Sequence, residues 1–100
     1  MWTRAAVKLL ERIKRARESG SIDPSLLSLG AALTDANAAV FDAANVFRGC
    51  IPGIHEVLRR DGLLDGIWCL DPKETLSRGQ GENITRVSRS YPELTDGARE

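Results

Sequence analysis

From Leu26 to Phe47 the apolar residues recur three or four positions apart almost without a break: Leu26, Leu29, Leu33, Ala36, Val40, Ala44 and Phe47. A strand repeats every second residue, whereas this spacing lays side chains along one stripe of a helix. It predicts a helix of about 20 residues or more, or two helices hinged near Gly30 or Thr34-Asp35. Ser21-Ile22-Asp23-Pro24 marks its start, because Asp23 can cap and Pro24 suits the first helical position. The second half, DANAAVFDAANVF, carries alanine on several sides. Small side chains let helices approach closely, so this half is expected to be buried on more than one face.

The same periodicity precedes it. Ala6, Leu9, Leu10, Ile13 and Ala16 form one stripe of a predicted amphipathic helix over Thr3–Ser19, with charges opposite and Gly20 as its C-cap. Trp2, just before it, is placed to fold back as an apolar lid.

Beyond Arg48-Gly49, Pro52 opens a helix of about three turns over Gly53 to Asp61. Its inner face reads as Ile51, Ile54, Val57 and Leu58, with Glu56, Arg59 and Arg60 outside, and Gly62 suits a left-handed stop. Leu63-Leu64 and Gly66-Ile67-Trp68-Cys69-Leu70 continue as an apolar crossing. No second strand is evident to pair with it, so packed coil is expected, with Trp68 anchoring in a core or an interface. After the Asp71-Pro72 turn, Ser77 with Gln80 three residues on has capping-box spacing. A last helix should run to about Ser90 with Ile84 and Val87 inward, its start weakened by Gly79 and Gly81. Tyr91-Pro92 ends it. The fold expected is all-α, about four helices in a small bundle with an irregular apolar crossing between the third and fourth. Residues 1–94 form one domain and 95–100 a tail.

Fourteen basic and fourteen acidic residues give a net charge of zero, which argues against a nucleic-acid binder. The exception is local: Arg4, Lys8, Arg12, Lys14, Arg15 and Arg17 face only Glu11 and Glu18 in the first helix. That basic face reads first as a solvated surface, with binding to an anionic surface a weaker reading. No apolar run approaches the roughly 18 residues of a membrane span, and charge at Lys8, Glu11 and Arg12 interrupts any signal-peptide pattern. Two cysteines are too few for a disulfide framework, so a cytoplasmic protein is expected.

Residues that carry chemistry are sparse. His55 is the only histidine, and with Cys50 and the distant Cys69 it gives no recognised metal spacing. Both cysteines read as packing residues; Cys50, near a helix start, has a reactive thiol as its second reading. Asn83-Ile84-Thr85 fits the glycosylation pattern by chance, and Gly79-x-Gly81 lacks the lysine and the strand of a phosphate loop. No catalytic, cofactor-binding or metal-ligating residue is assigned, and no cofactor is expected.

Pro52, Ile54, Leu58, Gly62-Leu63, Gly66 and Leu76-Ser77 together resemble the C-terminal region of the dihydrodipicolinate synthase and N-acetylneuraminate lyase family. There a proline opens a helix, a glycine ends it, and an irregular segment leads to a Leu-Ser-type start of the final helix. Thr3–Ser19 and Pro24–Phe47 resemble the helices leading into that region. His55 stands where the family often has lysine, and Asp71 and Lys73-Glu74 replace a proline-rich apolar run. The resemblance implies a class I aldolase-type lyase on a (β/α)8 barrel, with a Schiff-base lysine and an assisting tyrosine on upstream strands. Lys8, Lys14, Lys73 and Tyr91 match neither residue, so no catalytic residue is carried over. A barrel needs roughly 200 residues or more and does not fit in this chain. The expectation is therefore a structural or oligomerisation region, a fragment or truncated form inactive alone, whose partners are further copies or a missing barrel. The alternative is a freestanding helical interaction module that self-associates through Ala36–Phe47.

Overall fold

A computed structural model describes residues 2–96. Its elements are α1 (Thr3–Ser19), α2 (Ser25–Val40), α3 (Cys50–Arg60) and α4 (Gln80–Ser90), with 3-10 turns at Ala43–Asn45 and Pro92–Leu94. Among the described residues there is no strand, so the all-α expectation of about four helices holds. The expected tail extends past the described residues at 97–100.

Helices α2, α3 and α4 pack on one another and enclose the core. One cluster joins Ala32, Ala36 and Ala39 of α2 to Val87 of α4 and to Leu94. The other joins Val40, Val57 and Ile84, one residue from each helix, with Phe41, Ile54 and Leu76 against it. The alanine stripe explains the close approach of α2 and α4, and Trp2 folds back onto both clusters as the sequence implies. Gly20 and Gly62 take the left-handed conformation that ends their helices, with φ of 70° and 79°. Asp23 accepts a hydrogen bond from the Ser25 N–H at 2.9 Å, at the first residue of α2, whose N-cap position is Pro24.

Four expectations are corrected. The helix begun at Ser25 stops at Val40 rather than continuing through Ala44 and Phe47. Asp42, Val46 and Phe47 all have positive φ, and Ala43–Phe47 is exposed. The reason is tertiary: the Val40 carbonyl meets α3 and accepts a hydrogen bond from Gln80 Nε2 at 3.2 Å, so its acceptor is satisfied without another helical turn. Much of the face expected for self-association is thus either core or loop.

Second, α3 is rotated about its axis. Pro52, Gly53, Glu56 and Val57 are buried, while Ile51 is exposed. Gly53 sets this orientation, because a Cβ there would fall 1.9 Å from the Val40 carbonyl oxygen; only glycine lets the two helices touch. Glu56 tolerates burial at 5% exposure because Arg59 and Arg60 both bond its carboxylate, at 2.6 and 2.7 Å.

Third, Ser77 does not cap α4. Gln80 Oε1 accepts from the Ser77 N–H at 2.9 Å, which is half of the capping box, but the helix starts at Gln80 behind a left-handed Gly79. The Ser77 hydroxyl donates to Asp42 instead. Fourth, the crossing is coil but not packed: Trp68 is 69% exposed, and Leu63 and Leu70 are exposed too. It runs outside the three-helix core, and only Leu76 reaches a buried cluster.

Candidate functional site

His55 and Cys69 come together although 14 residues separate them. The Cys69 sulfur lies 3.9 Å from His55 Nδ1, where α3 passes the crossing. A thiol beside an imidazole is the first half of a nucleophilic set. Here burial pushes the Cys69 thiol up, and the carboxylates of Glu74 and Asp71 push it the same way. Both effects favour the neutral thiol. Cys50 stays apart at the start of α3, and both thiols are free. Among the described residues no three His, Cys, Asp or Glu side chains converge as metal ligands.

Lys8, Lys14 and Lys73 are exposed on α1 and in the crossing. Tyr91 donates to Asp35 at 2.7 Å, and Arg86 grips the same carboxylate through two bonds of 2.8 and 2.9 Å. The Arg86 and Tyr91 bonds hold the Asp35 carboxyl far below the usual carboxylate range, and the Tyr91 phenol is raised by its bond to Asp35. This trio clamps α4 and its C-terminal end to α2. Asn83 accepts from Arg86 at 2.9 Å within α4.

A polar junction fills the space where α2, α3 and α4 meet. Asp42 accepts from the Gly49 N–H at 2.9 Å, from Asn45 Nδ2 at 2.8 Å and from the Ser77 hydroxyl. Burial works to raise this carboxyl, but the bonds from Asn45, Ser77 and Gly49 outweigh it and leave it below its ordinary value. Gln80 Nε2 bonds the Gly49 carbonyl at 2.8 Å as well as that of Val40. No buried side-chain polar atom among the described residues lacks a partner. The junction is therefore satisfied internally, and it holds loops rather than ligands.

The remaining feature is α1. It buries no residue completely. Leu10 and Ile13 stand 51% and 40% exposed, although they belong to the apolar stripe of an amphipathic helix. Polar links secure α1 at two points: Asp96 accepts from the Ala5 N–H at 3.0 Å, and Arg12 donates to Ser25 Oγ at 3.2 Å. Between α1, Leu33 and Asn37 of α2, and Leu94 lies an open cleft of about 360 Å³, floored by Trp2, Leu9, Leu10 and Ile13. Its walls are apolar apart from Asn37.

Sequence reasoning singled out His55, Cys69 and Trp68, took Gln80 only as the capping partner of Ser77 and Asp35 only as a hinge position, and did not single out Asp42 or Arg86. For Asp42 and Asn45 a signal existed, since both types accept left-handed backbone and bond nearby amides. For Asp35 and Arg86, 51 residues apart, there was none. Among the described residues no helix is long and apolar enough to cross a membrane. Compared with known proteins, the chain matches no family model, no curated protein and no solved structure.

Proposed function

We propose that this chain is a helical structural and oligomerisation region, similar to the C-terminal part of a dihydrodipicolinate synthase-like Schiff-base lyase, which acts through protein contacts and is inactive alone. The observation that carries this reading is the uncovered apolar face of α1. An amphipathic helix gains little from its apolar stripe until something covers it. Further support comes from the layout of the resembling stretch: Pro52 in the first turn of α3, a left-handed Gly62, an aperiodic crossing, then α4.

The test is co-expression with a lyase barrel of this family cut back before its own last helices. Co-purification of the two pieces is the expected result, and failure to associate overturns the lyase reading. Pyruvate and borohydride should trap no adduct at Lys8, Lys14 or Lys73; a trapped lysine overturns inactivity.

A second reading, a freestanding module that self-associates, is favoured by the division of charge. Basic residues dominate α1, whereas the crossing carries Asp61, Asp65, Asp71 and Glu74 against Lys73 and Arg78. Light scattering after size exclusion tests it: a mass above the 10.9 kDa of one chain is expected, and a clean monomer counts against it.

A further inference from the structure

We infer that residues 41–47 are a two-state hinge: Asp42 holds them as a turn, and without that hold they wind onto α2 as one continuous helix that releases α3. This goes beyond the contact reading and does not depend on it. The turn is built against its own residues. Asp42, Val46 and Phe47 have φ of 61°, 56° and 64°. Aspartate accepts the left-handed region, but a β-branched valine and a bulky phenylalanine enter it at a cost. Packing does not offset that cost, since Val46 is 81% and Phe47 59% exposed. Strained backbone persists only where its surroundings over-determine it. Here they do so through the Asp42 carboxylate, which accepts from the Gly49 N–H, from Asn45 Nδ2 and from the Ser77 hydroxyl.

The competing state uses the same residues. No glycine or proline falls between Gly30 and Gly49, and Leu33, Ala36, Val40, Ala44 and Phe47 keep a helical spacing across the break. Ala43 and Ala44 are of the best helix-forming type, and Gly49 suits the end of a longer helix. The two states exclude each other at one atom. In a continued helix the Ala44 N–H bonds the Val40 carbonyl. In the bundle that oxygen accepts from Gln80 Nε2 at 3.2 Å, and α3 lies so close that a Cβ on Gly53 would fall 1.9 Å from it. An added turn of α2 would therefore occupy the place of α3. Winding also reverses φ at Asp42 and carries its carboxylate away from Gly49 and Ser77. Turn and docked α3 are gained or lost together, which makes the segment bistable rather than loosely flexible.

The experiment is NMR on the full chain, following the Hα-to-amide contacts three residues apart that mark a helix, with melting temperature alongside. The native chain should show α2 contacts that stop after Val40. Asp42→Ala removes the hold on the turn, and Gly53→Ala wedges α3 off the Val40 carbonyl. Each should carry the run of contacts without a gap through Phe47. A gap that persists in either variant, or a chain that loses the α2 contacts along with the turn, overturns the inference. The double variant Val46→Gly, Phe47→Gly acts in the opposite sense, because glycine takes positive φ freely and is a poor helix former. It should keep the gap and raise the melting temperature by several degrees. An equal or lower melting temperature would mean that the turn holds no strain, and the inference falls.

Discussion

Helices α1 and α2 have 17 and 16 residues, and they use their apolar side chains in opposite ways. α1 has a clean stripe with charges behind it, yet none of its residues is fully buried. α2 is apolar or small on most sides, with few charges to set its stripe apart, and Ala32, Ala36, Ala39 and Val40 are buried. Amphipathicity therefore indicates that a helix wants a partner, not that the partner lies in the same chain. Side chains small enough for close approach decide which helices form the core.

That contrast breaks if substitutions on the two helices cost the same. The largest effect belongs to the core side. Ile84→Ala removes a wholly buried side chain between α2 and α3 and should cost about 2–5 kcal/mol in urea unfolding. In a small domain that is a large share of the total stability. Gly53→Ala comes next: its Cβ would strike the Val40 carbonyl and Gln80 Nε2, forcing α3 away from α2 at about 1–3 kcal/mol. A melting temperature equal to the native one would remove the claim that this contact fixes the rotation of α3.

Acid should also act on the α2–α4 contact. The Asp35 carboxyl is held below its ordinary value by its bonds from Arg86 and Tyr91. A lowered value in the folded state means the clamp contributes fully above the unfolded value near 4, and its contribution is lost as pH falls toward the folded value. Thermal stability should thus hold from neutral pH to about 4 and decline below. Glu56 is lowered as well, first by Arg59, and adds to the same decline. Asp35→Asn should make the acid slope shallower without abolishing it; an unchanged slope would show that the clamp contributes nothing.

The smallest effect sharpens the comparison from the other side. Leu10→Ser on α1 should change monomer stability by less than about 0.5 kcal/mol, because half of the side chain is already in water. A cost of several kcal/mol would mean that α1 belongs to the core after all.

Much of this architecture was legible in the sequence. Thr3–Ser19 was bounded correctly because its periodicity and Gly20 agree, and Ile84 and Val87 faced inward as their spacing implied. The end of α2 was not legible, since the Ala44 and Phe47 spacing continued past the point where α3 and Gln80 claim the Val40 carbonyl. Of the candidate site, His55 and Cys69 were weighed together only as metal ligands, without a recognised spacing, and only folding brought them within 3.9 Å.

The local choices were therefore the sequence's own. Proline, glycine and apolar period specify where helices begin, stop and expose a stripe, because those are properties of a few adjacent residues. Tertiary structure alone decided which stripe is covered. It buried Glu56 under two arginines, turned Ile51 outward, and left α1 and Trp68 open to solvent. Burial depends on what lies across the gap, and a helix carries no record of its neighbour in its own period.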